Sequence, residues 1–179
     1  FYTAHGSASY TQGTIEQYEM SSGYDFSTAS QVNVLTLNTG GLNFLYATGV
    51  EFKPDGTRMY VSGLTNAGNK IAQYDLSTAW DVLTATLVGN VSFQALSGVR
   101  FQDNGQHMFV LDTQDPDSIK KYECTVPWDI TSIFPLPVQI SNIANICVPT
   151  ESSIRGFSFK DDGTKLYVSG TDNNSSFVI

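Results

Sequence analysis

The chain is short of basic residues: nine Lys+Arg stand against 17 Asp+Glu in 179 residues, a formal net charge of −8. Neutralising a nucleic-acid backbone takes clustered Lys and Arg, so the deficit excludes nucleic acid as a partner. No apolar run approaches the roughly eighteen residues that a membrane-crossing helix needs, which argues against membrane insertion. Only two histidines (His5 and His107) and two cysteines are present. No nucleophile elbow and no EF-hand loop occurs, so the sequence assigns no catalytic residue, no metal site and no cofactor. Sustained 3.6-residue periodicity is also missing, and helix content is expected near zero.

What the chain has instead is a repeat. Gly49-Val50-Glu51-Phe52-Lys53-Pro54-Asp55-Gly56-Thr57-Arg58-Met59-Tyr60-Val61 returns at Gly98–Val110 and again at Gly156–Val168. A second cassette follows each time: Ile15-Glu16-Gln17-Tyr18 with Tyr24-Asp25, Ile71-Ala72-Gln73-Tyr74 with Trp80-Asp81, and Ile119-Lys120-Lys121-Tyr122 with Trp128-Asp129. From Gly49 to Gly98 is 49 positions and from Gly98 to Gly156 is 58, so the spread in length sits in loops. Periods of this size mean stacked or radial supersecondary units.

Each unit reads as four short strands, A to D. Val50 and Phe52, then Met59 and Val61, alternate on either side of Pro54-Asp55-Gly56, a tight A–B hairpin in which proline presets φ and glycine accepts a positive one. Asn104-Gly105 and Asp162-Gly163 take the same place in the other copies. The third strand carries Ile71 to Leu76, and Ser77–Asp81 turns into the fourth. Four antiparallel strands per unit with aromatic and glycine markers specify an all-β β-propeller. The blades are placed at residues 1–48 (partial), 49–97, 98–155 and 156–179 (partial), about three blades of a larger ring, because Phe1-Tyr2-Thr3-Ala4 aligns with Met59-Tyr60-Val61-Ser62 inside strand B. Tyr18, Tyr74 and Tyr122, with Tyr24, Trp80 and Trp128, recur in phase and are expected to pack as framework within or between blades.

Cys124 stands where the other copies have Leu76 and Met20. Two readings stay open: a small buried hydrophobe, or a disulfide to Cys147 on the neighbouring fourth strand. Asp112, Asp115 and Asp117 share one loop and have the chemistry for calcium, but their spacing favours a solvated turn. His107 falls in the slot held by Arg58 and Lys165, a variable exposed position. Asn90, Asn173 and Asn174 begin N-x-[ST] sequons. The copies diverge in the B–C loops and D–A connectors, at 5–13, 38–46, 64–69, 112–118 and 171–176, which should share one rim. Function on a rigid scaffold concentrates in such loops. The candidate ligand-binding residues are therefore Tyr10, Tyr46, Asn66, Asp112, Asp115, Asp117 and Asn173, suited to sugar hydroxyls with an aromatic platform.

The cassettes at Phe52–Val61, Ile71–Asp81 and Thr84–Thr86 resemble the β-propeller repeats of tailed-phage virion proteins and of related bacterial surface proteins. They are also distantly similar to the surface-layer and lactonase-type propellers with a Y-V-T-N signature, where this chain reads Tyr60-Val61-Ser62-Gly63. The resemblance implies a non-enzymatic structural or adhesion module on a virion appendage or extracellular surface. Its partners would be other virion or surface proteins or a host glycan, and a homo-oligomer is compatible with it. The alternative is a lactonase-like or other hydrolytic propeller enzyme with an active site in the central channel.

Overall fold

A computed structural model of the chain describes residues 1–6, 12–38, 40–113, 117–142, 151–172 and 176–178. They form two compact units, Phe1–Ser92 and Phe93–Ile179. The first holds β1 (Tyr2–Gly6), β2 (Gly13–Met20), β3 (Ala29–Thr36), β4 (Phe44–Phe52), β5 (Arg58–Thr65), β6 (Gly68–Leu76) and β7 (Ala85–Phe93). The second holds β8 (Gly98–Gln102), β9 (His107–Asp112), β10 (Ser118–Glu123), β11 (Gln139–Asn142), β12 (Glu151–Phe159), β13 (Leu166–Asp172) and β14 (Ser176–Val178). The only helical pieces among the described residues are three-residue 3-10 turns.

Strand order follows the repeat. In the first unit it is β3-β2-β1-β4-β5-β6-β7, where the β1–β4 ladder pairs Gly6 with Tyr46 among the described residues. In the second unit β11-β10-β9-β8 forms one sheet and β12-β13-β14 another. Within each repeat the A–B and B–C strand pairs are antiparallel, with Val50 opposite Val61 and Val99 opposite Val110 in matching register. Asp55 shapes the β4–β5 turn by accepting from the Thr57 N–H at 3.0 Å, and Gly56 takes φ +73°. The third copy differs: Asn104 itself enters the left-handed region at φ 55°, followed by Gly105 at 83°. Asparagine tolerates that region better than most side chains.

Alternating burial is confined to strands such as β7 and β8. In β5 and β6 the residues Met59 to Gly63 and Ile71 to Tyr74 are buried on both faces. The strict in–out alternation read from the sequence therefore gives way wherever a strand is covered on its two sides. One core joins Ile15 and Leu37 to Met59, Val61, Ala72 and Tyr74, and a second joins Leu111 and Ile119 to Ile154 and Phe157. These are blade-on-blade contacts within each unit.

The framework aromatics divide. Tyr74 and Tyr122 are buried and Tyr18 half-buried, but Trp80 is 43% and Tyr24 96% exposed. The expectation of packed rings fails at Tyr24, while Trp80 and Trp128 pack within their blades over a turn and not in the core. Tyr24, Trp80 and Trp128 adopt positive φ (63°, 68° and 65°), which in the two tryptophans turns the side chain back over the A–B turn instead of into the core. The Trp80 N–H donates to the Gly56 carbonyl at 2.9 Å and the Trp128 N–H to that of Gly105 at 3.0 Å. A Cβ on Gly56 would sit 2.3 Å from Trp80 Nε1, so glycine there makes the indole's seat. Phe52 and Phe101 close it from the side, with ring centroids 5.5 and 5.2 Å away. Tyr24 has no A–B turn of this chain beneath it.

A left-handed φ costs an L-residue with a Cβ roughly 1–2 kcal/mol and glycine almost nothing. Trp80→Gly and Trp80→Ala both lose the ring, but only alanine keeps the strain. The glycine variant should be the more stable by about 1 kcal/mol, as compared by urea unfolding. Equal midpoints would show that the backbone relaxes once the indole is gone.

Cys124 is buried, with no disulfide among the described residues; Cys147, the other half of the expected pair, lies outside them. Like Leu76, Cys124 fills an apolar slot. Burial, and then the charge of Asp129, pushes its thiol up to about 11. Because the thiolate is the reactive form, labelling at pH 8 should be about a hundredfold slower in the native protein than in urea. Comparable rates in the two states would place the thiol at the surface.

Candidate functional site

The B–C turns and D–A connectors of the first unit come together at one end. The connector after β3 is tied to its own blade by the Leu37 N–H donating to Gly13 O at 3.0 Å, and to β4 by Phe44 N–H donating to Leu37 O at 2.9 Å. It reaches the next B–C turn through the Asn66 N–H, which donates to Asn43 O at 3.0 Å. That turn is closed by Thr65, whose hydroxyl donates to Gly68 O at 2.7 Å and accepts from the Ala67 N–H at 3.1 Å. Asn43 and Asn66 are exposed there.

Tyr46 enters the same end half-buried. The β4–β5 register shifts between Phe44 and Tyr46 and again between Ala47 and Gly49. These irregularities press the β4 backbone between β1 and β5. A Cβ on Gly6 would lie 2.2 Å from Tyr46 Cβ, and one on Gly63 would lie 2.2 Å from the Tyr46 carbonyl oxygen. Two glycines thus fix Tyr46 by close backbone approach. His5 and Glu16 lie at this end too, with Nε2 and Oε2 4.0 Å apart.

The acidic loop of the second unit is differently employed. Asp112 is 3% exposed and ion-paired with Lys120 Nζ. Asp117 accepts the Ile154 N–H at 2.6 Å, joining β12 to the β9–β10 turn. Both carboxylates are engaged by the fold: one is paired with Lys120 inside the protein and the other holds backbone. Among the described residues no three His, Cys, Asp or Glu side chains group as a metal site. Tyr10, Asp115 and Asn173 fall outside the described residues. The structure therefore brings Tyr46 and Asn66 to one end of the first unit.

At the A–B and C–D turns of each unit, the carboxylates are occupied by the turns themselves. Asp25, Asp81 and Asp129 cap 3-10 turns by accepting from Ser27, Leu83 and Thr131 N–H. Asp55 pairs with Lys53 Nζ at 2.6 Å, and that bond, followed by those from Thr57, holds its carboxyl well below the usual range. Asp162 repeats the arrangement with Lys160 and Thr164.

Sequence reasoning missed the polar contacts between the first two blades. Tyr2 OH donates to the Trp80 carbonyl at 2.6 Å. Gln17 Oε1 accepts from the buried Val82 N–H and from Asn33 Nδ2, each at 3.2 Å. Asn33 Nδ2 also lies 3.2 Å from Asp81 Oδ1. The available signal was the recurrence of Gln at 17 and 73 and of Asp at 25, 81 and 129, which reads as turn chemistry until the blades are stacked.

No protein-family model and no curated protein matches the chain. Solved structures similar to it include the following two. A candidate 6-phosphogluconolactonase from Bacteroides fragilis NCTC 9343 shares 10% identity at a TM-score of 0.49, over 94% of this chain and 50% of that one. A candidate 6-phosphogluconolactonase from Bacteroides uniformis ATCC 8492 shares 11% identity at a TM-score of 0.52, over 99% of this chain and 53% of that one. The chain thus spans about half the length of each. With the strand order above, the second likeness shows the fold: this is an all-β chain of β-propeller type.

Proposed function

We propose that the chain is part of a propeller that binds a polyhydroxylated, sugar-like ligand at the end where B–C turns and D–A connectors meet. The observation that carries this reading is the division of labour between the two ends. One spends its carboxylates and indoles on its own turns. The other presents exposed Asn43 and Asn66 beside a rigidly held Tyr46, the amide-and-aromatic combination that suits hydroxyl-rich ligands. Nothing in the fold or the likenesses favours a virion or adhesion role, so the reading concerns chemistry alone. Screened against an array of mono- and oligosaccharides, the double variant Asn43→Ala/Asn66→Ala should bind at least tenfold more weakly than the parent. Leu83→Ser, at the opposite end, should bind normally. The reverse pattern would overturn the assignment.

The likeness to the Bacteroides uniformis 6-phosphogluconolactonase candidate favours a second reading, hydrolysis of a sugar lactone. Water would add to the lactone carbonyl, the ring C–O bond would break, and the departing oxygen would take up the proton that the water loses. His5, whose Nε2 lies 4.0 Å from Glu16 Oε2, is the imidazole at this end fit to take that proton. Hydrolysis of D-glucono-1,5-lactone above the buffer rate, lost in His5→Gln, would support it. A rate equal to buffer would dismiss it and leave the binding reading standing.

A further inference from the structure

The faces that two blades turn toward the next blade in sequence differ at their outer half. On the first, Tyr2 and Gln17 are cross-strand partners, and Tyr2 packs on Phe52 with centroids 4.3 Å apart. That seat is filled by the turn Trp80-Asp81-Val82, through the Tyr2 hydroxyl, the Gln17 amide and the Asn33 bridge described above. In the second unit the corresponding partners are Phe109 and Lys121. Phe109 packs on Phe159 at 4.7 Å, as Tyr2 does on Phe52. The hydroxyl is absent, however, and the amide acceptor is replaced by an ammonium 5.8 Å from the Phe109 ring centre. Lys121 is only half-buried there.

Gln17 meets Asp81 only through the amide of Asn33, whereas lysine is one atom longer and cationic. We propose that the Lys121 face of β9 and β10 is a docking seat for an acidic Asx turn of the Trp-Asp-apolar type, gripped through its carboxylate by the Lys121 ammonium. The occupant's chemistry follows from the filled seat in the first unit and from charge complementarity. A neutral amide seat reads the turn's N–H, while an ammonium seat reads its acid. The replacement of Tyr by Phe at position 109 fits, because a carboxylate grip makes the hydroxyl-to-carbonyl bond dispensable.

Two measurements test this. In the first unit, where seat and turn are both present, Gln17→Lys should raise the folded-to-unfolded ratio at least threefold over Gln17→Met in urea titrations at low salt. That advantage should vanish when Asp81→Asn is added or when salt reaches 1 M. A lysine variant no better than the methionine one, or an advantage that survives Asp81→Asn, overturns the proposal. A synthetic peptide of residues 77–87 should shift the NMR signals of Lys121 and Phe109, and its Asp81→Asn version should do so at least threefold more weakly. Equal shifts with both peptides, or none with either, also overturn it.

Discussion

Gly63→Ala should lose more than about 3 kcal/mol of stability, the cost of forcing a Cβ into occupied space. The added methyl would lie 2.2 Å from the Tyr46 carbonyl oxygen and 2.9 Å from Ala47 Cα, both backbone atoms. No rotamer change can relieve that contact; β4 would have to move away from β5. Such a movement would also disturb the Gly6–Tyr46 bridge, which is where β1 and β4 pair. Gly23→Ala is the control, with nothing within 4 Å of the new Cβ, and should change stability by less than about 0.5 kcal/mol. Urea unfolding of the two variants decides the matter. Similar midpoints would mean that β4 is not clamped and that Tyr46 has no rigid seat.

Lys120→Met is the second large effect. Asp112 is 3% exposed, and a carboxylate that loses its cation in such a place typically costs 3–5 kcal/mol, so a loss of about that size is expected. Asp112→Leu should cost less, because Lys120 is partly exposed and its flexible stem can carry the ammonium to water. The double variant Lys120→Met/Asp112→Leu should recover most of the loss, since two apolar side chains leave no charge unpaired. Additive losses across that cycle would show that the two residues do not act as a pair. The repeat makes the double variant reasonable: the second copy has Gly63 and Ala72 at these positions, so the fold accepts the site without charge.

The sequence by itself determined the strands, their order and their turns. Period-2 patterns flanking Pro54-Asp55-Gly56, Asn104-Gly105 and Asp162-Gly163 are local chemistry, and the return of one cassette at 49 and 58 positions repeats that chemistry in each copy. It also determined that B–C turns and D–A connectors share an end, since in an up-and-down sheet alternate connections lie on the same side. Tertiary structure alone decided which polar and aromatic side chains would be buried. Trp80 and Trp128 recur in phase whether they sit inside the core or over a turn; it is the positive φ, satisfied by the Gly56 and Gly105 carbonyls, that lays them on the surface. Asp112 reads as one of three loop acids until β9 and β10 pair and bring Lys120 to it. Gln17 reads as an ordinary strand residue until a second blade presents the Val82 N–H. In each case burial is a property of what lies opposite, and what lies opposite is tens of residues away along the chain, beyond the reach of any local pattern.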